Sequence, residues 1–117
     1  MLGVVVCSFA RGDRVRVEFY IDSKDKGVNK EVFDKLMSMR NTIEEKFSGH
    51  LSWERLDDKR ASRVAVYRPG AITWPSSELN ELVDWAADAL MRLYNALLTP
   101  VRETSPGSAT GSVDVQF

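Results

Sequence analysis

The sequence has one cysteine, one histidine and no long apolar run, and each shortage argues against a class of protein. Cys7 has no partner for an internal disulfide, which favours a reducing compartment. His50 has no second histidine with which to hold zinc, and no cluster of residues has metal-ligand spacing. The apolar stretch 2–7 is too short to span a bilayer and lacks the basic start of a signal peptide. We therefore expect a cytoplasmic protein without a metal or another cofactor.

The chain also lacks an excess of basic residues. It has 16 Lys and Arg and 17 Asp and Glu, which gives a net charge of −1. Proteins that coat nucleic acids through bulk electrostatics are usually strongly basic, so binding to DNA or RNA would need a local patch. The length of 117 residues suits one hydrophobic core. We expect a single domain over residues 1–103. Residues 104–117 are mostly small or polar and predict a disordered C-terminal tail.

Alternating segments predict a β-hairpin at the start of the chain. Residues 4–10 are rich in β-branched side chains, and Gly12 supplies a turn before residues 14–21. One face of the second strand is apolar: Val15, Val17, Phe19 and Ile21. Its other face is polar: Arg14, Arg16, Glu18 and Tyr20. Such a period of two is typical of a strand that is buried on one side only.

Two helical stripes and a second hairpin complete the pattern. The first helix is predicted to begin at an Asn29 cap and to end at Gly49. Residues 51–55 and 62–68 predict the second hairpin, and a serine-capped helix then runs to Pro100. The predicted fold is α+β, in the order β-β-α-β-β-α. Two amphipathic helices would cover one face of a four-stranded, mostly antiparallel sheet.

The second hairpin carries the densest group of candidate binding residues: Trp53, Glu54, Arg60, Ser62 and Arg63. Arginine forks bind phosphates or the carboxylates of a partner. The competing interpretation is a structural ion pair between Glu54 and Arg60 or Arg63 across the hairpin.

The polar sheet face is a second candidate surface. Arg14 and Arg16 would share it with Arg55, Arg68 and two tyrosines, Tyr20 and Tyr67. Basic and aromatic side chains on a sheet are typical of platforms for single-stranded nucleic acid. Glu18 interrupts this patch, and an ordinary solvated face is the alternative.

The run Asp57-Asp58-Lys59 contains the D-x-K half of a nuclease signature. With an upstream acid such as Glu18 or Asp22 it would hold Mg²⁺, and Lys59 would lie near the scissile phosphate. The motif is short, and it falls in a charged stretch between two predicted strands rather than on a strand. A structural turn is the competing interpretation.

Four segments carry a resemblance to a known family: residues 16–21 (RVEFYI), 33–36 (FDKL), 43–47 (IEEKF) and 53–65 (WERLDDKRASRVA). Together they resemble domain of unknown function 4268, a bacterial and archaeal family, over roughly residues 14–98. Members often lie C-terminal to restriction-endonuclease-like nuclease domains, for which this chain has no room. The resemblance implies a nuclease-associated or defence-associated accessory domain.

Three functions therefore stay open. The first is a non-catalytic module that binds a partner protein or DNA through the arginine-rich sheet face and the 53–63 hairpin. The second is a minimal Mg²⁺-dependent nuclease that uses Glu18, Asp57 and Lys59. The third is a structural domain that forms homodimers through a free sheet edge or face.

Overall fold

A computed structural model describes residues 3–104 and the backbone of residues 113–116. The strands are β1 (Gly3–Ala10), β2 (Arg14–Ile21), β3 (Ser52–Glu54), β4 (Ser62–Pro69) and β5 (Val113–Gln116). The helices are α1 (Lys26–Ser38), α2 (Arg40–Phe47) and α3 (Ser76–Thr104). One sheet has the order β3-β4-β2-β1-β5. The neighbouring strands β3 and β4, β4 and β2, and β2 and β1 pair antiparallel, which confirms the α+β fold. β5 lies parallel to β1.

The core lies between the sheet and the helices, with α3 packed on β1 and β2 and α1 packed on β4. The apolar face of β2 is buried as predicted, with its four side chains at most 2% exposed: Val15, Val17, Phe19 and Ile21. α3 contributes the largest matching stripe: Leu82, Leu90, Leu93 and Leu97. The period of two in β2 and the helical period in α3 therefore bring their apolar faces together.

The first predicted helix is broken into two. Asp25, not Asn29, caps α1, and its side chain accepts a hydrogen bond from the N–H of Val28 at 3.2 Å. The helix ends at Ser38, whose hydroxyl donates to the Lys35 carbonyl at 2.5 Å. Such back-bonding competes with the helical ladder and bends it, so the chain turns at Met39 before α2 begins.

The predicted C-cap of this segment is displaced by one residue. Ser48, not Gly49, adopts the left-handed conformation after α2, with a φ of 67°. Its N–H donates to the carbonyls of Glu44 and Glu45, and the N–H of Gly49 also donates to Glu44. These bonds satisfy the free carbonyls at the helix end, as a glycine at the same place would do.

Pro100 does not end α3, which continues to Thr104. Proline removes one helical hydrogen bond, but Leu97, Val101 and Thr104 continue the buried stripe on both sides of it. Burial of this last turn offsets the lost bond. Of the predicted tail, residues 105–112 and 117 lie outside the described residues, while residues 113–116 form β5. In the described part of the chain, no helix is both long and apolar enough for a membrane span.

Candidate interaction surface

The polar face of the sheet is formed by side chains of β2, β3 and β4 and lies opposite the packed helices. We call it the outer face, and its charged and aromatic members are Arg14, Arg16, Glu18, Tyr20, Glu54, Arg63 and Tyr67. Strand register sets their neighbours, since Arg16 pairs with Tyr67 and Glu54 pairs with Arg63. The alternation of each strand therefore gathers residues that are up to 53 positions apart in the sequence.

Glu18 is the centre of an ion-pair cluster on this face. Its Oε2 lies 2.8 Å from Arg16 Nε and 3.1 Å from Arg63 Nη1. The Glu18 side chain is only 6% exposed because the two guanidinium groups lie against it. A carboxylate this deep on a sheet face needs both arginines as partners, since an unpaired buried charge is strongly unfavourable.

Glu54 extends the cluster towards β3. Its Oε1 lies 3.5 Å from Arg63 Nε, and its Oε2 accepts bonds from Tyr67 (2.6 Å) and Ser52 (2.9 Å). Glu54 therefore pairs with Arg63 across the hairpin, as the structural interpretation of the sequence expected. Arg14 covers the Tyr67 ring, with its guanidinium carbon 4.2 Å from the ring centroid. The cluster is thus connected from β3 to the far end of β2.

Burial has the largest effect on the pKa values of Glu18 and Tyr67 in this cluster. It raises the pKa of Glu18, although Arg16 and Arg63 pull in the opposite direction. It also raises the pKa of Tyr67, where the hydrogen bond to Glu54 adds to the effect. Tyr67 thus remains a neutral hydrogen-bond donor at ordinary pH. The arrangement supplies fixed charges and hydrogen-bond groups rather than a nucleophile with a matched base.

The structure divides the hairpin group between two faces. Glu54 and Arg63 lie on the outer face, whereas Trp53 packs on the helix side, with its ring centroid 6.2 Å from that of Phe33. Ser62 is buried on the helix side. Arg60 lies in the loop, where its Nε is 2.8 Å from Asp22. Consecutive strand residues point in opposite directions, so neighbours in sequence do not form one patch here.

Two further arginines that were predicted to lie on the polar sheet face lie elsewhere in the structure. Arg55 pairs with Asp34 of α1 at 2.9 Å, and Arg68 lies 5.9 Å from the ring centroid of Trp85 on α3. Arg14 and Arg16 remain on the outer face with Arg63, which makes three arginines against two glutamates. The positive character expected of a nucleic-acid platform is correspondingly reduced.

Two buried polar residues of α1, Asn29 and Lys30, bind the loop of the second hairpin; Asn29 was predicted only as a helix cap, and Lys30 was not singled out. Lys30 Nζ donates to the carbonyls of Leu56 (2.8 Å) and Ala61 (2.7 Å) and to the Ser62 hydroxyl (2.9 Å). Asn29 Nδ2 donates to the Arg60 carbonyl at 3.0 Å. A weak signal existed for Asn29, which lies on the apolar stripe three positions before Val32.

The residues of the nuclease hypothesis have other partners. Glu18 is held by two arginines, and the Asp57 carboxylate bonds to Arg55. Within residues 3–104, no three His, Cys, Asp or Glu side chains lie close enough to share a metal ion. Asp57 instead helps to hold the 55–61 loop, since it lies beside the arginine that reaches α1.

Comparison with known proteins identifies a family. No curated protein and no solved structure matches the chain significantly. The family described as a domain of unknown function matches residues 2–101, which is most of the chain and includes the whole outer face. The resemblance seen in the sequence is therefore confirmed, and the chain belongs to the family domain of unknown function 4268 (DUF4268).

Proposed function

We propose that this domain is a non-catalytic interaction module that binds a partner protein through its outer face. The observation that carries the proposal is the connected cluster of Arg16, Glu18, Glu54, Arg63 and Tyr67 on the sheet face opposite the packed helices. A prearranged polar cluster reduces the ordering cost of binding a partner.

A protein partner fits the composition of this surface better than a nucleic acid does. Glu18 and Glu54 lie among the arginines and would repel phosphates. The neighbouring strand adds half-buried apolar side chains, since Val4 pairs with Tyr20 and Val6 pairs with Glu18. Arginine, tyrosine and apolar side chains together are typical of protein interfaces.

The context of the module is proposed from the family resemblance alone. The resemblance implies an accessory part of a restriction-endonuclease-like protein, so we propose a role in a nucleic-acid or defence system. In that role the module would position another protein, and it would need neither Mg²⁺ nor a catalytic carboxylate of its own.

Arg14 is the best position for a test, because it is exposed and stacks on Tyr67 without entering the buried pairs. The immobilised chain is incubated with extract of the source cells, and retained proteins are cross-linked and identified. We expect a protein that is retained by the wild type and lost with Arg14→Glu. Arg102→Glu, the same charge change at an exposed position of α3, serves as the matched control and should retain it. Retention that Arg14→Glu leaves unchanged would contradict the proposal.

A second measurement separates a protein partner from a nucleic acid. Fluorescein-labelled single-stranded and double-stranded DNA and RNA are titrated with the chain at low and near-physiological salt, with and without Mg²⁺, and anisotropy is read. We expect no binding at low salt, where electrostatic attraction is strongest. Salt-sensitive binding that weakens with Arg14→Glu and not with Arg102→Glu would make nucleic acid the ligand of the outer face and replace our proposal.

A further inference from the structure

An apolar groove lies on the other side of the sheet, between the end of β1 and the first turns of α3. Its volume is about 260 Å³, and it is lined mainly by Cys7, Phe9, Val15, Ile72, Leu79 and Val83. In the described residues five large apolar side chains are exposed, and three of them border this groove: Phe9 (50%), Ile72 (70%) and Val83 (65%). Such a concentration of exposed apolar side chains indicates a contact site.

The backbone beside the groove has an open edge. β5 pairs with Gly3–Val6 of β1 and with none of the residues Cys7–Ala10. On its other side β1 is paired with β2 over its whole length. The second half of β1 therefore offers outward N–H and C=O groups to which, among the described residues, no strand bonds. An unpaired edge of this kind is a template for another strand.

We propose that an extended segment of a partner protein adds to β1 as a strand over Cys7–Ala10 and inserts one apolar side chain into the groove. Two independent features specify this occupant, since the edge binds extended backbone and the groove binds the side chain. The same edge already accepts a strand, because β5 pairs with its first half. The segment would thus extend an existing strand contact by about four residues.

The position of the groove favours the side chain of an added strand over a small-molecule ligand. Pockets for drug-sized ligands usually enclose about 300–1,000 Å³, and this groove, at about 260 Å³, lies near the lower end of that range and opens beside the sheet edge. One aromatic or branched side chain is therefore the better fit. The proposal concerns a surface separate from the outer face and does not depend on the proposed function.

The test uses random dodecapeptides displayed on phage and selected on the full chain. Selected sequences are synthesised with fluorescein, and their dissociation constants are measured by anisotropy. We expect alternating apolar residues in the selected peptides, and binding at least about tenfold weaker with Ile72→Asp or Val83→Glu. Both side chains are largely exposed, so these variants should fold, which circular dichroism checks. Met91→Glu, a polar change at an exposed site of α3 away from the groove, is the control.

The backbone part of the proposal has its own readout. Hydrogen exchange measured by NMR should slow at alternate amides within Cys7–Ala10 when peptide is added, since a pairing strand protects every second N–H. Peptides that bind Ile72→Asp and Val83→Glu as well as wild type, or that leave these amides unprotected, would overturn the proposal. Dimerisation of the chain that Ile72→Asp abolishes would overturn it in favour of a second copy as the occupant.

Discussion

The ammonium group of Lys30 lies 2.9 Å from the hydroxyl oxygen of Ser62, a residue 32 positions further along the chain. Lys30 is 7% exposed, and among the described residues no carboxylate is in hydrogen-bond contact with it. Its bonds go to one hydroxyl and to loop carbonyls, including that of Ala61. Burial lowers the pKa of Lys30, and Lys26 and Arg55 nearby add to this effect. The outer face thus depends on a buried lysine behind it, because these bonds hold the loop that enters β4.

Replacing Lys30 by methionine should destabilise the domain by about 2–4 kcal/mol. The change keeps most of the side-chain volume but leaves buried carbonyl oxygens without donors, and each such loss costs about 1–3 kcal/mol. Urea unfolding followed by circular dichroism measures the change. Lys35→Met, at an exposed position of the same helix, should stay within about 0.5 kcal/mol of wild type. A Lys30→Met domain as stable as wild type would show that water replaces the lysine.

Glu44 should stabilise the domain in a pH-dependent way. The N–H groups of Leu51 and of the Trp53 indole donate to its carboxylate at 2.8 and 3.2 Å, and these bonds lower the pKa of Glu44. A lowered pKa means that the contribution is complete above the ordinary value of 4.5 and is lost as the pH falls through the lowered value. Glu44→Gln should therefore cost about 1–2 kcal/mol at neutral pH.

The difference between Glu44→Gln and wild type should shrink as the pH falls, since protonated Glu44 resembles glutamine. Urea unfolding is measured from neutral pH to the lowest pH at which both proteins remain folded. Glu45→Gln, at the exposed neighbouring position, is the matched control and should track the wild type at every pH. A constant difference between Glu44→Gln and wild type would show that the carboxylate charge is not the cause.

Removal of the Arg63 side chain should lower the free energy of unfolding far more than removal of the Arg60 side chain. The Arg63 side chain is 15% exposed, and Arg63→Ala leaves buried Glu18 with Arg16 as its remaining partner. We expect the free energy of unfolding to fall by about 2–4 kcal/mol, because the buried Glu18 carboxylate loses one of its two arginine partners. Arg60 is 58% exposed, and its one ion-pair partner among the described residues is Asp22, so Arg60→Ala should shift the urea midpoint far less. Equal shifts for the two variants would contradict the burial argument.

Cys7 should react slowly with alkylating agents. Burial raises the pKa of its thiol, so the reactive thiolate is scarce near neutral pH. The rate of iodoacetamide modification, followed by mass spectrometry, should be lower in the folded chain than in urea. Its pH midpoint should also lie higher than that of the unfolded chain. A folded rate equal to the unfolded rate would show that neither burial nor the raised pKa protects the thiol.

The local alternation of apolar and polar residues was enough to predict which face of the sheet is buried. The alternation in residues 14–21 placed Val15, Val17, Phe19 and Ile21 inside, and the structure confirms this. The same alternation puts Trp53 and Glu54 on opposite faces of the sheet. The prediction that residues 53–63 form one patch did not take this into account. The polar cluster could thus be predicted in part, since strand parity selects its members and register brings them together.

The sequence by itself determined the fold class, the apolar faces and the family, because these follow from short-range periodicity and from matching segments. Tertiary structure alone decided the partners of Lys30 and Asn29, the continuation of α3 past Pro100 and the position of the apolar groove. Each of these depends on contacts between residues distant in sequence. Their free energies come from packing in three dimensions, which no local pattern records.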